Sequence, residues 1–172
     1  MLEINTLLFH ITRNENANLI EVSGIQLQVG NVNAYGRGFY TVENLANVFQ
    51  WNHADNAEDF LNNYSVIFSR VTIETEIDLV APVLAIDGPY GPDVLPLRRG
   101  GDLVWRNFNG TIQGSQAQNI EVIGNLTVNT INNIANNFLI PQPINVNGLI
   151  LNNIDLNAIQ IIANINAVIE DL

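Results

Sequence analysis

Apolar and polar positions along the chain come in short blocks, and the spacing within each block predicts its element. Residues 7–12 form an apolar block typical of a buried strand, and residues 64–80 alternate apolar and polar positions as a half-buried strand does. Helical spacing of apolar residues starts near Asn14 and runs to Gly24, which is expected to end that helix. Helices and strands in this order predict a mixed domain.

The next block is a glycine-flanked aromatic segment, and it carries the most informative pattern in the chain. The glycines on either side of Arg37 permit backbone conformations and close ligand approach that a Cβ would block, and residues 39–41 read as a short buried strand. Residues 43–51 have helix formers with apolar positions at helical spacing, so a helix should return Trp51 to the core side. Tyr40 and Trp51 are then expected to face one cleft.

The rest of the chain predicts a long loop, two strands and a helical end. Prolines and glycines concentrate in residues 81–102, which indicates an ordered binding loop. Strands are expected over residues 103–108 and 120–128, because turn signals separate these two blocks. The predicted elements after them are a helix over 129–139, a strand over 145–151 and a helix after Asp155.

The last helix carries a wide apolar stripe. Its predicted members are Leu156, Ile159, Ile162, Ala163, Ile165, Val168 and Ile169. This tail is expected either to cover the open edge of the sheet or to offer a helix, within residues 155–171, to a partner.

Composition fits one compact domain. A chain of 172 residues with 47% hydrophobic content is long enough to bury a core. No apolar run approaches the roughly 18 residues of a membrane-spanning helix, so no membrane partner is expected. With no cysteine and only two histidines, no metal site is predicted. The first residues lack a secretory signal, so the chain is expected in the cytoplasm or delivered into a target cell.

The charge of the chain is strongly acidic. A formal net charge of −11 argues against binding to nucleic-acid backbones, which normally needs clustered Lys and Arg. The negative electrostatic field of such a chain would attract a basic protein target. An acidic surface that only keeps the protein solvated explains the same charge without any partner.

The order of the motifs resembles a known family. A histidine strand with Phe9-His-Ile-Thr, a Gly-Arg-Gly-Phe-Tyr strand and a helix with a second aromatic are similar to the NAD-binding half of ADP-ribosyltransferases of the diphtheria-toxin and poly-ADP-ribose-polymerase type. Small bacterial toxin-like members share the glycine-aromatic motif. The resemblance covers roughly residues 7–80 and, more weakly, continues to 125. It implies an α+β fold with a split mixed β-sheet and flanking helices over 1–125, and residues 126–172 as a C-terminal extension packed on it.

The resemblance also assigns site residues. His10 would hydrogen-bond the nicotinamide ribose, Tyr40 would stack on the nicotinamide, and Trp51 would close the sandwich. Backbone groups after the histidine, at Ile11, would bind the carboxamide. The other cofactor-binding positions are Thr12, Arg37, Gly38 and Phe39. The candidates for substrate or pyrophosphate contact are Tyr90, Arg98 and Arg99.

The third catalytic position departs from the family pattern. The family has a glutamate there, whose charge stabilises the oxocarbenium-like ion. The matching position in this chain is Gln118, with Asn119 one register away. Glu121 is the acid nearby, but strand alternation puts it on the opposite face unless a bulge brings it round. Asp102, after two glycines, is a minor candidate.

These observations predict an NAD-dependent mono-ADP-ribosyltransferase that modifies a protein, with NAD as substrate and no metal. All six basic residues are arginine, and this absence of lysine resembles toxin subunits that enter a eukaryotic cytosol. Loss of the glutamate charge would cost about 10²–10³ in rate. A catalytically weak or inactive NAD- or ADP-ribose-binding pseudoenzyme and an NAD glycohydrolase are therefore the alternatives.

Overall fold

The computed structural model describes residues 2–25, 39–74, 97–99, 102–105, 119–137, 143–151 and 158–172. The strands are β1 Leu7–Arg13, β2 Phe39–Val42, β3 Tyr64–Val71, β4 Leu97–Arg99, β5 Asp102–Trp105, β6 Ile120–Thr127, β7 Ile144–Val146 and β8 Leu149–Leu151. The α-helices are α1 Asn14–Ser23, α2 Ala57–Asn63, α3 Val128–Asn137 and α4 Ala158–Asp171, and a 3₁₀ helix covers Leu45–Asn47. The fold is α+β, as predicted.

Six strands form one sheet in the order β4-β5-β2-β1-β3-β6, and β7 and β8 form a separate hairpin. Every pair of neighbouring strands in the described part of the chain is antiparallel. The expected mixture of parallel and antiparallel pairs is therefore not seen there. Short connections such as the turn into β8 favour antiparallel neighbours, since parallel pairs need long crossovers.

The sheet has three strands on either side of the junction between β1 and β2. Across β1 and β2 the described residues form one registered pair, Phe9 with Val42. By contrast, β1 and β3 share seven registered pairs, and β2 and β5 share four. We call this junction between β1 and β2 the seam.

The two faces of the sheet bury different clusters. Alternation along β1 sends Phe9 and Ile11 into the larger core and Leu8 into the smaller one. The smaller core includes Phe39 of β2 and Ala17 of α1. In the larger core, side chains from α2, α3, α4 and β7 cover the opposite face.

The C-terminal helices are part of the larger core. Ala158, Ile161 and Ile165 of α4 are buried in it. Of the predicted stripe, Ile165 is buried and Ile162, Val168 and Ile169 pack against the larger core, whereas Ile159 is exposed and the buried Ile161 was not included. This face of α4 packs within the chain, while Ile159 is 68% exposed. That the helix binds a partner stays a prediction. The predicted boundary at 125/126 falls inside β6.

Three local predictions were wrong. The expected helix over 43–51 is reduced to the 3₁₀ helix Leu45–Asn47 and turns. The expected strand over 64–80 ends at Val71, and residues 75–80 lie outside the described part. On α1, the apolar spacing predicts that Ala17 and Val22 share the core side, but Ala17 is buried and Val22 is 86% exposed.

Candidate functional site

His10 lies on β1 beside the seam and binds the neighbouring strand through its side chain. Its Nδ1 is 2.6 Å from the carbonyl oxygen of Tyr40. A carbonyl can only accept, so Nδ1 carries the hydrogen and donates it. Nε2 is then the acceptor nitrogen of a neutral ring.

The surroundings of His10 keep the imidazole neutral. Burial of the ring lowers the pKa of His10 to about 4, and the hydrogen bond to the Tyr40 carbonyl only partly offsets this. At neutral pH the ring is therefore uncharged. A neutral imidazole with a fixed Nδ1–H can accept a hydrogen bond from a hydroxyl group through Nε2.

The aromatic ring that contacts His10 belongs to Phe39. The two ring centroids are 4.3 Å apart with an interplanar angle of 35°. Tyr40 contacts His10 through its carbonyl group instead. Because Phe9 faces Val42 across the seam, alternation assigns the Tyr40 side chain to the Val42 face and Phe39 to the His10 face. Tyr40 and His10 therefore contact each other through the Tyr40 backbone.

Ile11 and Thr12 continue β1 past His10. Ile11 is buried in the larger core and is opposite Val66 of β3. Thr12 is partly buried, and its Oγ1 accepts a hydrogen bond of 3.4 Å from Asn16 of α1. Both residues are next to His10 in sequence, as the assignment of a backbone binding surface requires.

Trp51 is not on the core side. Its side chain is 47% exposed, because the chain makes a 3₁₀ helix and turns where a longer helix was expected. The backbone under it is nevertheless fixed, since the amide of Trp51 donates to Val48 and the side-chain amide of Asn52 donates to Phe49. Val48 and Phe49 are themselves buried. The structure thus presents an exposed indole on an anchored turn.

Glu121 is not brought to His10. It is registered opposite Arg70 on β3 and forms an ion pair with it at 3.3 Å. Arg70 is also registered opposite Leu7, whereas His10 is opposite Ile67, so Glu121 and His10 are on opposite faces of the sheet. A bulge does occur in β6, between the partners of Phe68 and Ser69, but it does not carry Glu121 across.

The remaining predicted positions fall in three groups. Asn119 is described, and its carbonyl accepts a 2.8 Å hydrogen bond from the amide of Thr72. Arg98 and Arg99 lie in β4, and their strand pairs with β5. The predicted site residues outside the described part are Arg37, Gly38, Tyr90 and Gln118.

Asp102 is the minor candidate for the third catalytic position. It is the first residue of β5, and its backbone is registered opposite Val42, which in turn is opposite Phe9. Two strand spacings of about 4.8 Å therefore separate it from β1. In the sequence, Asp102 was noted because it follows two glycines and precedes the strand predicted over residues 103–108.

Arg13, three residues after His10, has a structural role. Its guanidinium binds the Asp59 carboxylate through two hydrogen bonds of 3.0 and 3.1 Å and lies 4.9 Å from the centroid of the Tyr64 ring. These contacts lower the pKa of Asp59 below its usual range, mainly through the Arg13 hydrogen bonds. They fix the end of β1 to α2.

Searches against protein-family models, curated proteins and solved structures found no match to this chain. Within the described residues, no group of three or more His, Cys, Asp or Glu is arranged to hold a metal ion. None of the helices in that part of the chain is long and apolar enough to cross a membrane.

Proposed function

We propose that the chain is an NAD-dependent mono-ADP-ribosyltransferase, acting as a toxin or effector domain on a protein target. The observation that carries this proposal is the neutral His10 ring, fixed to the Tyr40 carbonyl at the seam. A ribose hydroxyl needs an acceptor at a defined position, and Nε2 of this ring supplies one. The motif order His10, Phe39-Tyr40 and Trp51 adds the resemblance to the family.

Two further features fit nicotinamide. The family resemblance assigns its carboxamide to the backbone at Ile11, which follows His10 in β1. Trp51 provides an exposed ring on anchored backbone, and stacking between rings contributes about 0.5–1.5 kcal/mol beyond the buried area. Nicotinamide has both a ring and a carboxamide.

In the proposed reaction, the bond between the ribose carbon and the nicotinamide nitrogen breaks, and nicotinamide leaves with the electron pair. The ribose becomes an oxocarbenium-like cation, which the acceptor group of the target protein attacks before it loses its proton to solvent. A carboxylate near the ribose would stabilise this cation. The family resemblance indicates Gln118 for this position, and its amide could bond the ribose hydroxyl but carries no charge.

A binding function without turnover is the second candidate. The observation that favours it is the ion pair of Glu121 with Arg70, which keeps this acid on the other face of the sheet from His10. If neither Asp102 nor Gln118 acts on the ribose, the same site would hold NAD or ADP-ribose without cleaving it. An NAD glycohydrolase is the corresponding alternative if water replaces the protein acceptor.

The test is nicotinamide release and protein labelling from NAD by the purified chain, beside its variants. Tyr40→Ala and Phe39→Leu separate the two neighbouring aromatic residues, while Asp102→Asn and Gln118→Ala test the third position. We expect a loss of about 10²–10³ in turnover when the group that stabilises the cation is removed. Glu121→Ala is the control and should leave turnover unchanged.

The outcomes distinguish the candidates. Labelled protein identifies a transferase, and nicotinamide release without labelling identifies a glycohydrolase. NAD binding with neither product identifies the binding module. If the wild-type chain does not bind NAD at all, the family assignment is wrong.

A further inference from the structure

The segment between β2 and α2, residues 43–54, carries Trp51 and has few regular backbone bonds of its own. Its centre is the 3₁₀ helix Leu45–Asn47, where Asn44 begins the turn by accepting a 3.0 Å hydrogen bond from the amide of Ala46. Short 3₁₀ turns are marginal alone, so contacts from elsewhere decide their position.

The contact from elsewhere comes from the C-terminal helix. The side-chain amide of Asn164 in α4 donates a hydrogen bond to the carbonyl of Ala46, a residue 118 positions away in sequence. Ala46 is buried, so its carbonyl has little access to water. Both backbone groups of Ala46 are thus held by asparagine side chains, from Asn44 and Asn164.

Asn164 is itself held in place. Its Oδ1 accepts a 2.7 Å hydrogen bond from Gln160, one turn earlier in α4. On either side of it in the helix, Ile161 and Ile165 are fully buried in the larger core. Asn164 is partly buried beside these isoleucines, where its side chain reaches the Ala46 carbonyl.

We propose that Asn164 is a positioning residue, and that α4 sets the place of the segment that presents Trp51. The chain runs directly from Ala46 through buried Val48 and Phe49 to Trp51. Displacement of the 3₁₀ helix would therefore move the indole. An indole fixed in advance loses little conformational entropy when a flat ring stacks on it. The consequence for NAD rests on the proposed function, but the effect on the segment does not.

The test compares Asn164→Ala and Asn164→Asp with the matched control Asn166→Ala, an exposed asparagine in the same helix. Asp has nearly the shape of Asn but places a carboxylate against the Ala46 carbonyl. We expect hydrogen exchange of backbone amides in residues 43–52 to accelerate on the order of tenfold in Asn164→Ala. Asn164→Asp should accelerate it further, and the control should not. Unchanged exchange in β3 will show that the fold is retained.

A second measurement connects the segment to the site. NAD affinity should fall in Asn164→Ala by a similar factor, while the same substitution in a Trp51→Ala background should have little further effect. Unchanged exchange over residues 43–52 in both Asn164 variants would overturn the inference. If exchange changes but the wild-type chain does not bind NAD, the positioning role stands and the proposed function fails. If NAD binds and its affinity is indifferent to Asn164, the connection to the site is wrong.

Discussion

Single residues at the site take their properties from the strands that surround them. His10 would be half protonated near pH 6.5 in water, but its place between Phe39 and the Tyr40 carbonyl keeps it neutral. The tautomer is fixed as well, because only Nδ1–H can bind that carbonyl. One histidine thus acquires a defined acceptor atom without any charged partner among its described contacts.

The lowered pKa of His10 predicts how stability changes with pH. Between about pH 6.5 and the folded-state pKa of about 4, the unfolded chain binds a proton that the folded chain does not. The free energy of unfolding should therefore fall as pH falls through this window, by an amount on the order of 3 kcal/mol. Urea unfolding of the wild type and His10→Gln at several pH values measures it. The His10→Gln variant should lose less stability than the wild type between about pH 6.5 and about pH 4. Free energies of unfolding that change with pH in parallel for the two chains would contradict the prediction.

The carboxylate of Asp59 should affect stability in a more acidic pH range than His10 does. Its folded-state pKa is lowered by Arg13, Asn63 and the amide of Asp55, so its contribution is present above the usual carboxyl pKa and is lost as pH falls below it. Asp59→Asn should lower the unfolding midpoint at neutral pH because it breaks the link between β1 and α2. Glu58→Gln, in the same helical turn, is the control. Equal midpoints for the two variants at neutral pH would show that the ion pair contributes nothing.

At the scale of elements, β6 and the hairpin of β7 and β8 pack closely because of one glycine. A Cβ on Gly124 would be 3.0 Å from Val146 Cγ1 and 3.1 Å from Asn147 Cβ. The hairpin turns at Asn147 and Gly148, which both have positive φ, as a two-residue turn of this kind requires. Glycine in β6 is therefore a packing requirement rather than a flexible point.

Overpacking at this contact is the expected defect of Gly124 variants. Gly124→Val should destabilise the fold by about 1–3 kcal/mol, and Gly124→Ala by less. A smaller neighbour should relieve the clash, so the combination with Val146→Ala should cost less than the sum of the two single changes. Thermal or urea unfolding of the four chains in this double-mutant cycle gives the coupling energy. Additive effects would place the strain elsewhere.

Elements with their own local signals were predicted well. Gly24 ends α1 as expected, and its amide bonds to Ile20. The helix α3 and the strand β6 also lie close to their predicted positions. The segment 43–51 was predicted wrongly because its apolar spacing fits a helix, whereas its position is decided by a distant contact from Asn164. Periodicity carries no information about such contacts.

The site was predictable in part for the same reason. His10 and the Phe39-Tyr40 pair were found from the sequence, and the structure joins them across the seam. Which ring faces His10 depends on the register of β2 against β1, and register follows from tertiary pairing. The predicted spacing alone could not separate Phe39 from Tyr40.

For the whole molecule, the larger core unites both parts of the chain. Phe68 of β3 and Ile161 of α4 belong to one buried cluster, so residues after 126 are not an independent layer. A core of this kind predicts one cooperative transition. Ile161→Ala should cost about 2–5 kcal/mol and should lower the stability of the sheet as much as that of α4. Unfolding followed by far-ultraviolet circular dichroism and by hydrogen exchange in β3 measures this, and separate transitions would contradict it.

The seam has a mechanical consequence. A sheet transmits load through its ladders, and among the described residues the seam has one registered pair, against seven and four at the neighbouring boundaries. Slow twisting motions of this sheet should therefore be largest at the seam, and each three-stranded half should move as a rigid body. The His10 side chain, which donates a hydrogen bond to the Tyr40 carbonyl across the seam, links the two halves of the sheet.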